Sequence, residues 1–183
     1  MDIAAIDLLN SDWHDYRGSG RRVDRLDDPE WLKIFVSRWG LDAAGTPGEN
    51  VRASLKDLRA LLRRIVEAVS RGTEPHSRDF QEFNKVLALS PVVRRLVPTG
   101  GGYTLEPVPL EKGWDWARAE IARGFAEVLA HGDPSRFKIC ENPDCFWVFY
   151  DESRNRSRRW CEDTCGNLLK VRRFRERRKG TTP

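Results

Sequence analysis

The sequence predicts an α+β fold that is mainly α: a helical N-terminal domain with one small β-hairpin, followed by a treble-clef-like module. Three observations carry this reading. Apolar residues recur at three- and four-residue spacing through most of residues 28–131. The helical period breaks once, at two β-rich runs flanking Gly100-Gly101-Gly102. All four cysteines fall in one stretch, Cys140-x4-Cys145-x15-Cys161-x3-Cys165, which runs into a strongly basic segment, Lys170 to Lys179.

The helices follow in order. Asp28-Pro29 reads as an N-cap with Pro at N1, and Trp31, Leu32, Phe35, Val36 and Trp39 then form one apolar stripe that Gly40 ends. The longest pattern, Val51, Leu55, Leu58, Leu61, Leu62, Ile65, Val66 and Val69, carries Arg and Lys between its apolar positions and stops at Gly72, which makes it the expected central helix. A third helix carries Phe80, Phe83, Val86 and Leu87 and ends at Ser90-Pro91. The runs PVVRRLV and YTLEPVP form the hairpin. Helical spacing resumes through Trp114, Ala117, Ile121, Phe125, Val128 and Leu129, and His131-Gly132-Asp133-Pro134 closes that helix. The domains are therefore expected at residues 1–133 and 134–183.

Composition narrows the function. A chain of 183 residues, 39% apolar, with seven Trp and eight Phe, suits one medium domain plus a small one and excludes wholesale disorder. The N-terminus lacks the features of an export signal and no stretch approaches the ~20 apolar residues of a membrane span, so a cytoplasmic protein with no membrane partner is expected. The net charge of +4 is uneven. Residues 136–183 hold 13 Lys and Arg against 7 Asp and Glu, whereas residues 1–135 hold 19 against 21. Positive charge gathered in one tail is the pattern of a nucleic-acid arm.

The cysteines point to one structural zinc ion. Zinc takes four soft or borderline ligands in a tetrahedron, and four thiolates leave no position open for catalytic water. Glu141-Asn142-Pro143-Asp144 is a turn-rich insert that lets the first two sulfurs face inward. Phe146 to Tyr150 reads as a strand, and the i, i+4 spacing of Cys161 and Cys165 puts them on one face of a helix beginning near Cys161. Disulfides are the alternative, disfavoured without an export signal, and neither pair has the C-x-x-C spacing of a redox dithiol.

The residues Cys140-x4-Cys145, then Phe149-Tyr150-Asp151-x-Ser153-Arg154-Asn155-x-Ser157-Arg158-Arg159-Trp160-Cys161 and Cys165-Gly166-Asn167 followed by Lys170, closely resemble the CGNR-type zinc finger. Ile6-Asp7-Leu8-Leu9-Asn10 and Phe83-Asn84-x-x-Leu87 look like the helical ABATE domain that precedes this finger in its family. The resemblance spans nearly the whole chain. It implies a stress-induced transcriptional regulator of bacterial type that binds double-stranded DNA. One departure stands out: Leu168 occupies the position of the motif's final Arg.

The expected DNA surface has two parts: Arg154, Asn155, Arg156, Ser157, Arg158 and Arg159 in the loop before Cys161, then Asn167, Lys170, Arg172, Arg173, Arg175 and Arg177 on the following helix. Leu168, Val171 and Phe174 are expected to pack that helix on Phe146, Phe149 and Trp160, with Trp147 and Trp160 filling the zinc core. A zinc-stabilised module for RNA or for a protein partner is the rival reading. Asn10, Trp31, Trp39, Asn84 and Trp114 are the candidate residues for a small-molecule effector, packing and capping being the plainer account of each. Homodimerisation is expected because one small finger reads few bases. Nothing supports an enzyme: His14, His76 and His131 are isolated, the triple glycine lacks a following Lys-Ser or Lys-Thr, and Asp24, Asp27 and Asp28 read as helix caps.

Overall fold

The computed structural model describes residues 3–41, 43 and 45–179; the first and last residues of the expected domains 1–133 and 134–183 at the two chain ends, and the Lys179 side chain, lie outside these. Among the described residues there are six helices and three separate two-stranded antiparallel sheets. Helix α1 (Ala4–Leu9) leads into the strand pair β1 (Asp12–His14) and β2 (Arg22–Asp24), then a 3-10 turn (Arg25–Asp27), α2 (Pro29–Arg38), α3 (Glu49–Ser70) and α4 (Ser77–Leu87). The ribbon β3 (Val92–Thr99) and β4 (Gly102–Pro109) follows, then α5 (Trp114–His131), a 3-10 turn (Pro134–Arg136), β5 (Phe137–Ile139), β6 (Val148–Tyr150) and α6 (Asp163–Lys179).

Helix α3 is central, as its long apolar stripe requires. It touches α1, α4, α5 and β5, and buries Leu55, Leu58, Leu61, Leu62, Ile65 and Val66. Fully burying side chains of this size contributes about 1.5–3 kcal/mol each, less the entropy of ordering them. The expected caps are in place. Asp28 accepts from the Glu30 amide with Pro29 at the first helical position, and Gly40 and Gly72 follow α2 and α3 at positive φ. Asp24 caps the first 3-10 turn and is also gripped by both Arg59 terminal nitrogens at 2.7 Å. Burial raises its pKa, but the Arg59 hydrogen bonds and charge outweigh that and hold it at about 2.

Three features depart from the sequence reading. The pair β1–β2 and helix α1 are too short for an apolar period to be legible. The ribbon β3–β4 forms as predicted, with Thr99 opposite Gly102 around the glycine turn, but it does not lie within the helical domain: it stands out from it, exposed along both strands. Finally, the core does not stop at residue 134. Phe137 and Val148, both fully buried, belong to the same apolar cluster as α1, α3, α4 and α5, and Phe137 bridges the rings of Phe125 and Tyr150.

Candidate metal centre and nucleic-acid interface

Strands β5 and β6 pair Phe137 with Tyr150 and Ile139 with Val148, so the Cys140 to Cys145 segment is the turn of this hairpin. The knuckle thus lies inside the hairpin, and of the expected strand Phe146 to Tyr150 only Val148–Tyr150 pairs. The Cys140 amide donates to Trp147 O at 2.8 Å and the Cys145 amide to Asn142 O at 2.9 Å, bending the backbone so that both sulfurs face one point. Cys161 lies in the loop ahead of α6, and Cys165 sits in the helix's first turn. The helix therefore starts two residues later than the position near Cys161 that the spacing predicts. A tetrahedral site needs its last two sulfurs to approach from different directions, which an extended residue and a helical one provide.

All four Sγ atoms lie within 4.8 Å of one another, and Cys145 to Cys161 and Cys161 to Cys165 are 3.6 and 3.8 Å apart. A tetrahedron with Zn–S bonds of about 2.3 Å has sulfur edges of about 3.8 Å, so the cluster fits one zinc ion. Hydrogen bonding among the thiols holds Cys140 well below the ordinary thiol range and pushes Cys145 above it. Bound zinc supplies a cross-link between knuckle and helix, with no coordination position left for catalysis.

Residues outside the thiols shape the site. Asn142, 1% exposed, donates from Nδ2 to Tyr16 O at 2.9 Å and to Cys165 Sγ at 3.5 Å, tying a sulfur to the N-terminal domain. Buried Asp151 accepts from the Ser153 and Arg158 amides, each at 2.9 Å, and so folds the basic loop back on itself. Trp147 and Trp160 pack against the cysteines as expected. Gly166 is required by Trp160, since a Cβ there would lie 2.9 Å from the indole ring. Asn142 and Asp151 each sit two residues before an amide they accept from, an Asx-turn signal that was readable in the sequence.

The finger is clamped to the helical domain. Asn10, 4% exposed, pairs with Val148 like a neighbouring strand: its Nδ2 donates to Val148 O at 2.9 Å and its Oδ1 accepts from Val148 N at 2.8 Å. Arg63 donates to Phe146 O at 2.7 Å. Arg172 reaches from α6 to Asp144 at 2.6 Å and to Arg17 O at 2.7 Å, and a Cβ on Gly18 would sit 2.7 Å from its guanidinium.

These ties redistribute the predicted DNA-contact residues. Arg172 belongs to the clamp. Arg156 pairs with Asp133 at 2.9 Å, and Arg159 with Glu141. Arg158 donates to Trp160 O and Cys161 O and lies over the Phe149 ring, so it supports the metal loop. Arg177 donates back to Arg173 O. Arg154, Lys170, Arg173 and Arg175 are exposed, with no side-chain hydrogen bond or ion pair among the described residues, and Asn155, Ser157 and Asn167 are exposed beside them. The expected packing of α6 is corrected too. Leu168 is partly buried, but Val171 and Phe174 are 45% and 55% exposed, because the helix leaves the body of the protein after its first turns.

The candidate effector residues do not converge. Asn10 is the clamp to Val148, Trp39 donates to Asp7 at 2.8 Å, Trp31 stacks on Phe35 at 5.0 Å, and Asn84 is exposed on α4. Trp114 stands between a cavity of about 540 Å³ and one of about 580 Å³, neither of which the other four residues line.

Residues 2–132 match the ABATE family model, described as a putative stress-induced transcription regulator, and residues 136–178 match the CGNR zinc finger. The chain belongs to the ABATE family. Among curated proteins, none matches it. The ABATE match runs from the N-terminus through α5, and the finger match covers all four thiols, giving a zinc-binding member of a transcription-regulator family. No helix among the described residues is long and apolar enough to cross a membrane.

Proposed function

We propose that this ABATE protein is a cytoplasmic transcriptional regulator whose zinc finger binds double-stranded DNA through α6 and the loop ahead of Cys161, under the control of a stress signal or small-molecule effector. The observation that carries the reading is a set of exposed cations with no close ion pair among the described residues: Arg154, Lys170, Arg173 and Arg175 lie on the helix and loop that carry Cys165 and Cys161. Charges with no internal partner are the ones free to neutralise phosphates, while a helix that stands clear of the protein body has the diameter of the major groove. The arginines with internal partners hold that surface in shape.

Four to six phosphate contacts give a slope of log K against log salt of roughly −4 to −5. The test is fluorescence anisotropy of the zinc-loaded chain with duplex DNA and with RNA over a salt series. Lys170→Glu/Arg173→Glu/Arg175→Glu is expected to abolish DNA binding with zinc content and thermal stability unchanged. Binding that survives this variant, or is insensitive to salt, overturns the proposal. The exposed Val171 and Phe174 on the same helix favour one second reading, a protein partner, which preserved association without DNA affinity would reveal.

A further inference from the structure

The ribbon β3–β4 touches no other element extensively, yet its eight cross-strand pairs are complete. A lone two-stranded hairpin in water is marginal, so this arm calls for a covering surface. Its register puts Val92, Arg94, Leu96, Pro98, Tyr103, Leu105, Pro107 and Pro109 on one face. That face carries a single charge, and Val92, Leu96, Tyr103 and Leu105 are 51%, 62%, 76% and 55% exposed. The arm is about 25 Å long. At its root lies the cavity of about 540 Å³, walled by Leu89, Pro91, Leu110, Trp114 and Trp116. Two atoms of residues lining it, Ser90 Oγ and Trp114 Nε1, are buried with no hydrogen-bond partner among the described residues.

We infer that the arm is a dimerisation device, and that its occupant is the arm of a second copy of this chain. Two arms packed face to face and antiparallel about a two-fold axis bring the Tyr103 of each over the root of the other. An aromatic ring then meets a socket with Leu89, Pro91, Leu110, Trp114 and Trp116 in its walls and Glu111, Lys112 and Asp115 beside them. The contact is isologous, as closed two-fold assembly requires. The exposed apolar area comes to roughly 500 Å² per copy, so pairing removes about 1,000 Å², the lower bound for a specific interface. Pro98, Pro107 and Pro109 deprive the strand edges of donors, which favours association through the face over strand addition. The dimer gives the regulator two fingers, but it is measured without DNA, so it stands or falls separately from the nucleic-acid reading.

The test is sedimentation velocity on the full zinc-loaded chain over a concentration series. The wild type is expected to show a monomer–dimer equilibrium, and Leu96→Glu/Leu105→Glu to raise the dimer dissociation constant at least ~100-fold, since four charges enter an apolar contact. Tyr103→Ala, at the exposed tip, repeats the test should the double variant fold poorly. Val171→Glu/Phe174→Glu on α6 is expected to leave the dimer intact. A wild type monomeric throughout, hairpin variants that still dimerise, or a dimer lost through α6 instead would each overturn the inference.

Discussion

Asn10→Leu isolates the clamp between the N-terminus and the finger. Leucine keeps the branching of asparagine at Cγ but is larger, so the change removes two hydrogen bonds without opening a cavity, and any crowding adds to the cost. It leaves the Val148 N–H and C=O unpaired at a residue with 0% exposure. Each buried orphan costs about 1–3 kcal/mol, partly offset by burying a more apolar side chain, so a net loss near 3 kcal/mol is expected. For a chain of this length that lowers Tm by roughly 6–12 °C. Differential scanning calorimetry of the zinc-loaded proteins measures it. Because Val148 begins the strand that leaves the knuckle, zinc affinity measured against a chromophoric chelator is expected to fall about tenfold as well. A Tm within about 2 °C of wild type would refute the account of Asn10 as the joint between the two parts.

Gly166→Ala is expected to weaken zinc binding roughly tenfold by driving Trp160 off the thiols, although alanine in an open helical position stabilises by about 1 kcal/mol; chelator competition gives the sign. Chelating zinc from the wild type is expected to lower Tm by more than about 10 °C in a single transition, because Phe137 and Val148 sit in the common core, and two separate calorimetric transitions would contradict that. The folded pKa of Asp24 lies at about 2, below its unfolded value of 3.8, so its contribution is present above pH 4 and is lost as pH falls toward 2. With the carboxylate 21% exposed, Asp24→Asn is expected to cost at most about 2 kcal/mol at neutral pH, and the difference from wild type to vanish in acid denaturation near pH 2.

The parts legible in the sequence are those whose signal is local. The apolar period of α3, the Asp28-Pro29 cap, the glycine turn of the ribbon and the four thiols each declare themselves within a few residues. What the sequence hides is long-range. Asn10 and Val148 are 138 residues apart, and nothing around Asn10 distinguishes a side chain that imitates a strand from a helix cap. The arginines of the basic loop and of α6 look alike in sequence, but Glu141, Asp133 and Asp144 pick out Arg159, Arg156 and Arg172 as supports once the fold brings the acids near. Trp31, Trp39 and Trp114 carry no label of direction, so a shared pocket and plain packing both fit the sequence, packing the more simply, and the fold gives the three separate contacts.

The placement of Phe137 and Val148 has a consequence for synthesis. The helices α1 to α5 leave the ribosome with part of their core uncovered, since two of its fully buried side chains are encoded after them. At about 5–20 residues per second, the stretch from His131, where α5 ends, to Val148 takes roughly 1–3 s to make. Through that interval the nascent helices expose an apolar surface that no segment already made can close. The last forty or so residues finish the body of the protein as well as its metal site, so a chain truncated before β5 would be a client for chaperones and proteases.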